Sequence, residues 1–86
     1  MTDYWSIKSE NIKDMKYLSK NINKPWNFKK LSKNENLDPN IIVNNPNKPW
    51  DYKILSNHPL ITIDTWIETI NMPWNYKIIK KRFDKV

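Results

Sequence analysis

Apolar residues in this chain come in short bursts with helical spacing, separated by polar turns. Trp50 and Ile54 are four apart and Tyr52 and Leu55 three apart, which places them on one face of a helix. Trp74 with Ile78 and Tyr76 with Ile79 repeat the arrangement. A second type of burst follows Asp14, Asp38 and Thr62, all residues that cap a helix start by accepting a backbone N–H. Pro39 directly after Asp38 suits a first helical position. Leu37 with Ile42 and Ile61 with Trp66 fit a hydrophobic staple across that start. The pattern predicts two-turn helices over about 15–21, 39–45 and 63–70, and a longer one over about 73–84. Helices this short are unstable alone, so packing against neighbours must hold them.

The bursts are periodic. Pro-Trp occurs at Pro25-Trp26, Pro49-Trp50 and Pro73-Trp74, 24 residues apart each time. Asn27-Phe28, Asp51-Tyr52 and Asn75-Tyr76 follow, then Leu31, Leu55 and Ile79, while Asn23, Asn47 and Asn71 stand three residues before each Trp. Asp3-Tyr4 and Ile7 fall on the same register without Pro-Trp. The whole chain, 1–86, therefore divides into copies 3–26, 27–50 and 51–74 and a half copy 75–86. Proline tolerates the first turn of a helix, so each Pro-Trp is expected to open one, with the preceding Asn as its cap. The resulting expectation is an all-α fold, tandem short helical hairpins of 24 residues stacked as a small solenoid with seven short helices. A leucine-rich-repeat-like α/β fold is the alternative, with Leu60-Ile61-Thr62-Ile63 as its strand.

Composition narrows the function. The chain has no Gly, hence no glycine-rich phosphate loop, and no Cys, hence no disulfide, thiolate metal site or Cys nucleophile. No apolar run reaches the roughly 18 residues of a membrane span, and no signal peptide is visible, so an intracellular, non-secreted protein without membrane contact is expected. His58 reads as a turn residue bonding its own backbone. Asp38, Asp51, Asp64 and Glu68 read as caps and first-turn charges. No nucleophile–base pair can be assembled, so no catalytic residue, metal or cofactor is expected. Trp26, Trp50 and Trp74, sharing one register, are core residues by this reading. Trp66 matches Leu18 and Ile42 and is also core-like. Trp5 matches Lys29 and Lys53, which makes it the aromatic expected to be exposed and to touch a partner.

The net charge of +6 is uneven. Lys77, Lys80, Lys81, Arg82 and Lys85 make the C-terminal segment the basic region, a candidate contact for phosphates or a solvated face. With a single Arg in the chain, such binding would be salt-sensitive and unspecific.

The stretch Asn45-Pro46-Asn47-Lys48-Pro49-Trp50-Asp51-Tyr52, with Leu55-Ser56 and Ile61-Thr62, resembles a repeat of giant DNA viruses of the mimivirus kind, Asn-Pro-x-Lys-Pro-Trp-Asp-Trp-x-x-Leu-Ser. The resemblance covers about residues 21–80. The 14 Lys, 13 Asn and 12 Ile suit such A/T-rich genomes. It implies a viral source and a repeat architecture, located in host cytoplasm or virion, but no activity. Together these readings anticipate a non-enzymatic protein-binding or structural subunit of a viral complex or virion, able to oligomerise, with a basic nucleic-acid-associated protein as the alternative.

Overall fold

The computed structural model describes residues 4–84. It is all-helical, with no strand among the described residues. Seven helices follow in order: α1 Tyr4–Asn11, α2 Met15–Lys20, α3 Phe28–Lys33, α4 Pro39–Asn44, α5 Tyr52–Leu55, α6 Ile63–Glu68 and α7 Tyr76–Phe83. Contacts run between every second element: α1 packs on α3, α3 on α5, and α4 on α6. The molecule is a short rod of 44 × 23 × 20 Å. The leucine-rich alternative fails at its own strand, because Leu60 lies in a turn and Thr62 caps α6.

The second helix of each pair starts where the sequence predicts. Asp14, Asp38 and Thr62 hold extended backbone and accept the N–H groups of Tyr17, Asn40 and Thr65. The first helix of each pair starts three residues later than expected, at Phe28, Tyr52 and Tyr76. Its caps are Asn27, Asp51 and Asn75, which accept from Lys30, Ile54 and Ile78. Asn23, Asn47 and Asn71 cap nothing. The reason lies in the prolines. The N–H of each Trp reaches the carbonyl two residues back, Lys24, Lys48 or Met72, at 2.7–2.8 Å. That is a γ-turn centred on proline, whose fixed φ suits it. Pro-Trp thus ends a connector, and Trp50 lies outside the helix that carries Ile54.

Leu18, Leu31, Leu37, Ile42, Leu55 and Ile79 are fully buried, and Trp26, Trp50 and Trp74 are 5–9 % exposed. They form one continuous core with the half-buried Trp5, Phe28 and Trp66 packed against it. Each Pro-Trp tryptophan ties together the two helices that precede it. Its ring meets an aromatic at the start of the first helix edge-on: Trp5–Trp26 at 4.9 Å, Phe28–Trp50 at 5.0 Å and Tyr52–Trp74 at 4.9 Å between centroids. Its indole N–H donates to the carbonyl that ends the second helix, at Asn21, Asn45 and Thr69, 2.8–3.0 Å away. The orphan C-terminal carbonyl and the buried indole N–H satisfy each other.

Candidate functional site

Serines stitch successive pairs together. The Ser9 hydroxyl donates to the Trp5 carbonyl one turn back (2.6 Å) and accepts the Asn27 N–H (2.9 Å). Ser32 does the same between Phe28 (2.7 Å) and Asp51 (2.9 Å). Ser56 links Tyr52 (2.7 Å) and Asn75 (2.9 Å). Each acceptor hydroxyl therefore takes the N–H of the next first-helix cap. All three serines are fully buried. Lys80 stands at the corresponding place in α7.

A second ladder runs through residues 34, 58 and 82. Asn34 donates its amide to the carbonyls of Ser9 (3.1 Å) and Ile12 (2.8 Å) in the preceding unit. His58 accepts the Leu60 N–H at Nδ1 (3.1 Å), so its proton sits on Nε2 and is donated to the Asn34 carbonyl (2.7 Å). Arg82 donates from Nη1 to the Ser56 carbonyl (2.7 Å) and from Nη2 to the Ile61 carbonyl (2.9 Å). Three different side chains thus hold carbonyls of the unit before them. The self-bonding turn expected of His58 is present, and the bond across units is added to it. The sequence signal for this ladder was the 24-residue spacing of three side chains that each carry an N–H donor.

The sequence candidates separate accordingly. Trp5 is not exposed. The N-terminal helix is in register one residue later than the sequence spacing suggests, so Trp5, not Tyr4, occupies the place of Phe28 and Tyr52, and Ser9 that of Ser32. Tyr4 and Ile7 point outward, at 59 % and 52 % exposure. The spacing shows it: Ser9 stands five residues before the cap Asp14, whereas Ser32 and Ser56 stand six before Asp38 and Thr62. Arg82, a candidate phosphate contact, is half-buried and donates to two backbone carbonyls. Lys77, Lys80 and Lys81 are exposed on α7, while Lys85 lies outside the described residues. Lys29 and Lys53 repeat the exposed place of Lys77 on α3 and α5.

Among the described residues there is no group of three or more His, Cys, Asp or Glu side chains placed to hold a metal ion. The described residues also contain no helix long and apolar enough to cross a membrane. Burial pushes the Tyr52 phenol up to about 12, and its hydroxyl donates to the Pro46 carbonyl at 2.9 Å. No family model, curated protein or solved structure matches the chain.

Proposed function

We propose that this chain is a non-enzymatic interaction scaffold: a small solenoid of stacked helical hairpins that binds another macromolecule, a protein first of all, as a structural or adaptor subunit. One observation carries the reading. Tyr4, Ile7, Ile67, Ile70 and Tyr76 are each more than half exposed on a rod of 86 residues, whereas His58 and Arg82 are spent on backbone carbonyls of the chain itself. Exposed large apolar residues gathered at the ends of a small protein mark a surface that another macromolecule covers. A viral complex or virion as the setting rests on the repeat resemblance alone.

Affinity capture of the tagged protein from its native host cell, with and without nuclease, tests this. Protein partners retained after nuclease are the expected result; loss of every partner on nuclease treatment would overturn it. A second reading, a nucleic-acid-associated protein, is favoured by the row Lys29, Lys53 and Lys77 with Lys80 and Lys81 beside it. That reading requires affinity that falls steeply with salt and that disappears on reversing these charges.

A further inference from the structure

Charge along the outer side of the second helices is ordered. Lys16 and Lys20 of α2, Asn40 and Asn44 of α4, and Asp64 and Glu68 of α6 share two register places, and all six side chains are exposed. These places lie two residues before and after Leu18, Ile42 and Trp66, which each helix turns towards the core. Two residues are roughly 200° around a helix, so the six side chains face directly away from the core. The Asp38 N–H reaches the Met15 Sδ at 3.4 Å, and α4 packs on α6, which keeps the three helices in one row. The row therefore runs from basic through neutral to acidic on one lateral face.

None of these four charged side chains pairs with an opposite charge among the described residues. Between the two places on each helix, on the same face, stand Ser19, Val43 and Ile67. Ile67 is 53 % exposed, a large apolar side chain set between two carboxylates. A row that is basic at one end, neutral in the middle and acidic at the other is its own complement once reversed.

We infer that this lateral face pairs with the same face of a second copy, about a twofold axis that passes through α4 parallel to the helices. Such an axis reverses the row and keeps each residue's place along its helix. Lys16 then meets Asp64 of the other copy and Lys20 meets Glu68, at both ends of the face. Asn40 and Asn44 fall near the axis, where an amide that both donates and accepts suits its own twin. Ile67 comes over Ser19 of the other copy. A twofold axis along the rod would instead lay like charge on like. The contact is isologous and closes at two copies. Each second helix has six residues, about 9 Å. Three of them side by side cover less than the roughly 800 Å² per partner of a standard interface, so the pair is weak and charge sets its direction. The inference rests on the scaffold reading and names one partner for it.

The test is sedimentation equilibrium of the full chain at concentrations up to about 1 mM. Wild type is expected to pass from monomer to dimer and no further, with the dimer weakening as NaCl is raised. Lys16→Glu with Lys20→Glu makes the whole row acidic or neutral, and Asp64→Lys with Glu68→Lys makes it basic or neutral. Each double variant alone should lose at least about tenfold in self-affinity. Mixed, the two should form one-to-one dimers, because every place then meets its opposite. One chain carrying all four changes should dimerise with itself again. Helical circular dichroism equal to wild type shows that the variants fold. A wild type that stays monomeric, one that grows beyond dimers, or double variants that pair alone as wild type does or fail to pair when mixed, overturns the inference. A wild-type monomer that still captures host-cell proteins after nuclease overturns only the pairing; one that captures none overturns the scaffold reading as well.

Discussion

Ser9, Ser32 and Ser56 each back-bond to the carbonyl four residues earlier, which leaves a lone pair aimed at the next cap residue. Removing such a hydroxyl strands a buried N–H. Ser32→Ala and Ser56→Ala should each lower unfolding free energy in urea by about 1–3 kcal/mol, while Ser19→Ala, at an exposed place, changes little. Arg82 makes the sharper case, since a phosphate-binding arginine and a structural one respond differently. Arg82→Lys should destabilise the fold by about 1–2 kcal/mol, because an ammonium cannot span two carbonyls as the guanidinium does. Unchanged stability would return Arg82 to the surface. At Tyr52 the unfolded chain releases the phenolic proton near pH 10, but the folded chain holds it to about 12. Between these values the native state binds more protons, so stability falls as pH rises, by at most about 1.4 kcal/mol per pH unit. Tyr52→Phe, which places at 52 the residue found at 28, should remove that slope in pH-resolved denaturation.

At the scale of the element, two kinds of helix start were open to different degrees of sequence reading. Asp14, Asp38 and Thr62 announce their helices because nothing competes for the capping role. At Pro-Trp two side-chain acceptors compete, Asn at three residues before Trp and Asn or Asp just after it, and sequence spacing alone favours the wrong one. The choice is made by the γ-turn at proline, which is local, and by the burial of the indole against the preceding helices, which is tertiary. Asp51→Ala should therefore cost about 1 kcal/mol in thermal denaturation, and Asn47→Ala close to nothing. Equal losses would restore the earlier helix start. The early register slip at Trp5 was hidden for a related reason. Tyr4 and Trp5 are adjacent aromatics, and the one that meets Trp26 goes with a serine five rather than six residues before the next cap, Asp14.

The 24-residue period made the all-helical architecture and the buried tryptophans legible at the scale of the molecule. The basic region was legible as composition, but not the division within it: Arg82 turns inward while Lys77, Lys80 and Lys81 are exposed. A rod joined by repeated identical bonds should lose its units together when a middle one is broken. Trp50→Ala, which removes a ring from the continuous core and frees the Asn45 carbonyl, should cost about 3–5 kcal/mol and leave a chain this small largely unfolded by circular dichroism.

The claim on which the rest depends is that a serine of one unit holds the cap of the next. Backbone amides of N-cap residues are ordinarily free of intrahelical partners and exchange quickly with solvent. Hydrogen exchange followed by NMR at Asn27, Asp51 and Asn75 tests the claim directly. Slow exchange at all three, lost selectively at Asp51 in Ser32→Ala, is the predicted result. Exchange at all three as rapid as in exposed turn amides would contradict the ladder and, with it, the account of how these units are joined.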